Sequence, residues 1–324
     1  MQISFKVKSW PIRGSFTISR GSKTQADVIQ VKISSHGVMG RGECVPYARY
    51  NETIDSTLTE LENVLPALKN GVTRETLQDL MPAGAARNAV DCALWDLECK
   101  QKQQRIWDNL AMSPDALVTA FTLSLDSPEN MKKAAIENAF RPLLKLKLGG
   151  GEDLARVAAV REGSPNAKII LDANEAWTPE LYKILIPELV KLGVAMIEQP
   201  FPVGMDYILE TLPRPIPICA DESCHDRESL GKIIGRYDMI NIKTDKTGGL
   251  TEALALKNQA EQAGLQIMVG CMLSSSLSMA PAFVIAQGVD IVDLDGPLLL
   301  SEDIEHGFEF ENNHMMPFST ELWG

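Results

Sequence analysis

The chain has 324 residues, 45% hydrophobic and 23% charged, a composition that suits a soluble globular protein with a sizeable core and speaks against disorder. Its length allows one large barrel with an attached smaller domain, or two ordinary domains. A formal net charge of -12 argues against a nucleic-acid partner, because such affinity rests on Lys and Arg neutralising phosphates, yet leaves a small anionic substrate open.

In chain order, Met1 to about Pro46 alternates apolar and polar residues (Ile3, Phe5, Val7, then Val28, Ile29, Val31, Ile33), with Gly37 and Gly40 as turn signals, which predicts a small antiparallel sheet. The first ten residues hold no apolar run long enough for a signal peptide or membrane span, so a cytoplasmic location and no membrane partner are expected. Helical periodicity runs over 53–69 and 85–100, the second with an apolar face of Ala86, Val90, Ala93, Leu94 and Leu97. The six cysteines (Cys44, Cys92, Cys99, Cys219, Cys224, Cys271) lack zinc-site or disulfide-framework spacing and read as reduced thiols.

Beyond about residue 116 come eight short apolar runs, each ending in polar residues and separated by helical stretches: 118–124, 143–147, 168–172, 194–198, 216–221, 239–243, 265–270 and 290–295. Eight such units predict an α/β fold, a (β/α)8 TIM-type barrel. A doubly wound sheet is the competitor, but no G-x-G-x-x-G or P-loop follows the first strand. The expected division is an N-terminal α+β domain over 1–115, a barrel over 116–300, and a C-terminal segment over 301–324 that packs back on the first domain.

Barrel enzymes carry their chemistry at the C-terminal strand ends. Barrel strand 2 ends in Lys145 and Lys147, whose two-residue spacing points both into the mouth. Strand 3 ends in Asp172, strand 4 in Glu198, strand 5 in Asp221 and strand 6 in Lys243. Each carboxylate alone could simply cap the following helix. Three from adjacent strands, however, converge closely enough to require a cation between them. None of the four histidines (His36, His225, His306, His314) ends a strand, so the donors are hard oxygens, which suit Mg2+, with Mn2+ able to substitute. Strands 2 and 6 lie opposite in an eight-stranded ring. Lys147 and Lys243 then face a substrate carbon from two sides, one removing a proton and the other returning one. Burial and nearby cations are expected to lower a lysine pKa, and the metal to act as Lewis acid on the developing enolate oxygens.

These residues carry a resemblance. Leu144–Gly149 (LKLKLG), Asp172-Ala173-Asn174, Ile197–Pro200 (IEQP), Ala220–Ser223 (ADES), Asn241–Gly249 (NIKTDKTGG) and the helix Ala86–Leu97 (ARNAVDCALWDL) resemble the muconate-lactonizing subgroup of the enolase superfamily over essentially the whole chain. The resemblance implies that residues 1–115 form a capping domain, that Asp172, Glu198 and Asp221 bind the metal, and that Lys147 and Lys243 are the acid/base pair. It also implies that Lys145 supports the bound carboxylate. Lys246 is the weaker lysine candidate, and Cys224 and His225 are left as loop residues. A dehydratase would want a strand-ending histidine.

The same half-reaction serves cycloisomerases, o-succinylbenzoate synthases and racemases, so the substrate is read from strand 8. Its end, Asp293-Leu294-Asp295, offers two uncompensated carboxylates on one side, which invite a substrate ammonium; plain helix capping or pairing with surface lysines is the alternative. A carboxylate at the metal and an ammonium across the mouth suit a dipeptide, since two residues span about 6–7 Å. This pair, with Val269–Leu273 (VGCML) and Ala220–His225, resembles dipeptide epimerases acting on L-Ala-D/L-Glu, which implies substrate contacts from Thr122, Cys271 and Leu273. For Cys271, core packing competes with that role. The segment Arg20-Gly21-Ser22-Lys23 aligns as a lid; relatives carry Arg at Lys23, and a lysine meets a carboxylate as a point charge with looser selectivity. A dipeptide is the expected partner, with self-association left open. The alternatives are a cycloisomerase or o-succinylbenzoate synthase, or a non-catalytic small-molecule binding protein.

Overall fold

The alternating N-terminal segment forms a three-stranded antiparallel sheet of Gln2–Ile18, Gly21–Ser35 and Val38–Cys44, seen here in a computed structural model that describes all residues, 1–324. One face, with Ile29, Val31 and Ile33, packs against helix Ala85–Lys102 through Ala89, Ala93 and Leu97. Gly40 and Gly42 make that approach possible: a Cβ on either would stand 2.1 Å from a helix carbonyl, Ala93 O or Ala89 O respectively. The opposite face buries Trp10, Ala26 and Val28 on Met272 and Leu300 of the barrel rim.

The helix is enclosed on more than the expected apolar side. Arg87, Asn88, Asp91 and Asp96 are buried as well, because the helix lies between the sheet and the barrel. Its polar side chains therefore bond across the junction. Arg87 donates to Thr247 O and Gly248 O, and Asn88 donates to Asp245.

The eight barrel strands are Phe121–Leu123, Leu143–Lys147, Lys168–Asp172, Val194–Glu198, Ile218–Ala220, Met239–Ile242, Gln266–Gly270 and Ile291–Asp293, parallel and neighbouring in sequence order. The ring closes between strands 8 and 1, where Ala120 N donates to Val292 O at 2.8 Å. Seven strands and the residue just before strand 1 each give one side chain to plug the interior: Ala120, Leu143, Ile170, Met196, Cys219, Met239, Met268 and Ile291. This packed apolar layer leaves only the C-terminal end of the ring for chemistry.

The end of the chain contacts both parts. Phe310–Glu311 and His314–Met315 form a small sheet with Leu117–Val118. Trp323 Nε1 donates to Arg41 O and Cys92 O, and Gly324 N donates to Asp96. No helix is long and apolar enough to cross a membrane.

Candidate active site

Side chains alternate along a strand, so counting in twos from the apolar plug reaches the next inward positions. These are Thr122, Lys145, Lys147, Asp172, Glu198, Asp221, Asn241, Lys243, Asp293 and Asp295, all buried. The fold thus brings every sequence-predicted residue of strands 1 to 6 and 8 into one layer. Cys271 and Leu273, after strand 7, line the cavity above it.

Lysines and carboxylates interlock in this layer. Lys147 Nζ donates to Asp172 Oδ2 at 2.5 Å, and Lys243 Nζ donates to Asp221 Oδ2 at 2.7 Å. Lys145 Nζ sits among Glu198 Oε2 at 2.6 Å, Asp293 Oδ2 at 2.7 Å and Asp172 Oδ2 at 3.3 Å. Lys246 points beneath the mouth, donating to Asp221 O, Asp221 Oδ1 and Asn241 O. It braces Asp221 and does not line the substrate-sized cavity.

Two expectations need correction. The strand 8 carboxylates are not uncompensated: Asp293 is paired with Lys145, and Asp295 Oδ2 accepts the Thr122 N–H at 2.7 Å. That bond also commits the Thr122 main chain to the protein. Nor are Lys145 and Lys243 lowered in pKa. Burial alone would lower Lys243, but Asp221 and Glu198 outweigh it and raise it, and Asp293, Glu198 and Asp172 do the same for Lys145.

The carboxylates respond unequally. Burial pushes Asp172 up, but Lys147 and Lys145 hold it well below the usual range, and Lys243 and Lys246 do so for Asp221. Glu198 is raised to about 7 by burial and by Asp172, and Asp295 to about 6 by burial and Asp293. Lysine contacts thus hold Asp172 and Asp221 ionised, while burial beside like charge pushes Glu198 and Asp295 the other way.

Asp172, Glu198 and Asp221 are oxygen donors on adjacent strands, with Asp172 and Glu198 in direct register. Glu198 Oε2 and Asn174 Oδ1 are buried without a hydrogen bond, the Lys145 contact to Glu198 lying off the bonding direction. Hard donors with unfilled lone pairs fit a small divalent cation. Lysine ammonium groups pair with Asp172 and Asp221, and the three carboxylates do not draw together at metal-binding spacing as the sequence led us to expect.

Above the layer lies a cavity of about 800 Å³, bounded by Lys147, Lys243, Asp221 and Glu222 below and by the hairpin residues from Phe16 to Asp27 above. Arg20, at the hairpin turn, donates to Asn174 O at 3.0 Å, Glu222 at 2.9 Å and Tyr47 OH at 3.1 Å, which ties the hairpin to the mouth. Lys23 lines the same cavity.

Residues 2–110 match the mandelate racemase / muconate lactonizing enzyme N-terminal domain, and residues 128–318 match the enolase C-terminal domain-like family. The chain belongs to the enolase superfamily. Within it, the L-Ala-D/L-Glu epimerase of Escherichia coli is 44% identical, covering 95% of this chain and 97% of that one. An N-acetyl-D-glutamate racemase from a Pseudoalteromonas species is 42% identical, with 92% and 95% covered. Among solved structures, an Agrobacterium tumefaciens enolase family member with homology to dipeptide epimerases, holding sodium and L-Ala-L-Glu, superposes with a TM-score of 0.98 at 48% identity and 99% coverage of both chains. The Enterococcus faecalis dipeptide epimerase in complex with Mg and L-Leu-L-Tyr gives 0.91 at 29% identity, with 99% and 98% covered.

Three polar residues at the strand ends received no role from the sequence. Asn241 Nδ2 donates to Glu198 Oε1 at 2.6 Å, Gln199 holds the turn after strand 5, and Glu222 anchors Arg20. Asn241 lies two residues before Lys243, so the period-two rule that placed the lysine could have found it. Gln199 and Glu222 each follow a strand-ending acid, where sequence offers no signal for a side chain that bonds sideways.

Proposed function

We propose that this chain is a Mg2+-dependent dipeptide epimerase that inverts the α-carbon of the C-terminal residue of dipeptides such as L-Ala-L-Glu and L-Ala-D-Glu. The observation that carries the reading is the placement of Lys147 and Lys243 on opposite barrel strands, both lining one cavity and both ion-paired to a strand-end carboxylate. One ammonium must lose its proton to act as base while the other keeps its proton to act as acid. The opposed placement lets either lysine take either role, so the reaction runs both ways.

Asp172, Glu198 and Asp221 would hold the ion. When bound, Mg2+ would offset these carboxylate charges, which raise Lys145 and Lys243, and would supply Lewis-acid polarisation of the substrate carboxylate. Lys145 orders Glu198 and Asp293 and lends positive charge beside the substrate carboxylate. The unpartnered Asp293 Oδ1 is the acceptor for a substrate ammonium, and Cys271 and Leu273 wall the side chains. The apolar plug and the hairpin keep bulk water from the α-carbon. A cytoplasmic setting is part of the reading, supported by six cysteines that are all free thiols.

Incubation with Mg2+ and L-Ala-L-Glu in D2O is expected to place deuterium at the glutamyl α-position and to form L-Ala-D-Glu. Absence of exchange with every member of a dipeptide library would sink the proposal, and chelation should stop exchange reversibly.

One observation favours a second reading. Lys145 already neutralises half of Asp293, so an N-acylated glutamate without an ammonium group could be tolerated, as the name of the Pseudoalteromonas relative invites. The same exchange assay with N-acetyl-glutamate decides between them.

A further inference from the structure

Gln199 follows Glu198 at the end of barrel strand 4 and is fully buried. Its φ of +37° lies in the left-handed region, which residues with a Cβ rarely adopt and which persists only where surrounding contacts over-determine it. The side chain supplies those contacts. Oε1 accepts the Asp221 N–H at 3.0 Å and the Ser223 N–H at 3.2 Å. Nε2 shares its two hydrogens among Phe201 O at 2.9 Å, Ser223 Oγ at 2.9 Å and the Tyr237 hydroxyl at 3.0 Å. The amide cannot be reversed, because only its oxygen can accept from two main-chain N–H groups.

The outer acceptors are themselves fixed. Asp206 Oδ1 accepts from the Ser223 hydroxyl at 2.7 Å and from the Tyr237 hydroxyl, and Asp206 Oδ2 accepts the Gly204 N–H. Gln199 is therefore rigid at its far end and grips the main chain of Asp221 at its near end. From the other side, Lys246 holds Asp221 O and Oδ1, both at 2.6 Å. Asp221, just past the end of strand 5, is clamped between side chains that follow strands 4 and 6.

We propose that Gln199 is a positioning residue for the divalent ion: by holding the Asp221 N–H from the neighbouring strand it sets the direction of the Asp221 carboxylate and hence the affinity for Mg2+. This rests on the magnesium reading above. Gln199 touches neither the substrate cavity nor a carboxylate of the site, so its effect passes through the main chain. An apolar side chain of the same length would leave two buried N–H groups unpaired, and the turn Asp221–Ser223 would have to rearrange to satisfy them.

The test is calorimetric titration of Mg2+ into the chelator-treated full chain, independent of turnover. Gln199→Met is expected to raise the Mg2+ Kd about 10–100-fold, as loss of a ligand's supporting hydrogen bond generally does. Tyr237→Phe, which keeps both Oε1 bonds, should change it by about threefold or less. If Gln199→Met does not fold, Gln199→Asn, whose amide is withdrawn by one methylene, is held to the same 10–100-fold expectation. Wild-type affinity in the folded Gln199 variant overturns the proposal and leaves the magnesium reading standing, and so does an equal loss in Tyr237→Phe. A wild-type chain that binds no Mg2+ overturns both.

Discussion

The Lys145 ammonium lies 2.7 Å from Asp293 Oδ2, joining barrel strands 2 and 8 inside the mouth. The same ammonium contacts Glu198 and Asp172, so one cation links the proposed ammonium acceptor to two of the proposed metal ligands. Asp293→Asn should lower kcat/KM for L-Ala-L-Glu by 100-fold or so, about 2.7 kcal/mol of transition-state binding, while N-acetyl-glutamate exchange, if present, falls far less. Steady-state kinetics with both substrates reads the difference; equal losses would remove the ammonium role of Asp293.

Lys147→Ala and Lys243→Ala are each expected to abolish epimerisation. One of the two variants should still exchange the α-proton of a single enantiomer, because the remaining lysine reaches one face only. Proton NMR in D2O with each isolated diastereomer makes the comparison, and epimerisation at the wild-type rate in both variants would reject the two-base scheme.

Arg20 tethers the hairpin to Glu222 and Asn174 without lining the reacting layer. Arg20→Ala should raise KM by about 10-fold with a smaller change in kcat, since it loosens closure and leaves the lysines in place. A fall in kcat with KM unchanged would count against this tether.

Asp245 sits at the junction of the two parts, accepting the Val45 N–H at 3.0 Å and an Asn88 amide hydrogen at 2.7 Å. Burial, with Glu52 and Glu43 adding to it, raises its carboxyl to about 7. A folded pKa above the unfolded value of about 3.9 means the native state binds the proton more tightly. Its contribution to stability is complete below pH 4 or so and is lost as pH rises through about 7. Asp245→Asn should therefore flatten the Tm profile between roughly pH 4 and 7 relative to wild type. Parallel profiles measured by calorimetry would contradict the assignment.

Gly40→Ala places a methyl group 2.1 Å from Ala93 O at the sheet–helix contact. The helix must move away, at a cost of about 3 kcal/mol, and thermal melting is expected to register it as a Tm several degrees lower. An unchanged Tm would show that the contact yields freely.

Much of this protein could be read in one dimension. Eight apolar runs with polar ends specify parallel strands with an active face, and two-residue spacing selects Lys145 with Lys147, and Asp293 with Asp295, because strand geometry sends alternate residues to the same side. Patterns of that kind are local, so sequence alone determined the barrel, its catalytic end and the inward layer. Partnerships within the layer are not local. Tertiary structure decided that Lys145 neutralises Asp293, that the Thr122 main chain is held by Asp295, that carboxylates raise Lys243 instead of leaving it lowered, and that Gln199 reaches sideways to Asp221. Closure of the ring brings strands 2 and 8 to one centre and seals it from water, and only then do distance and burial settle which charge answers which.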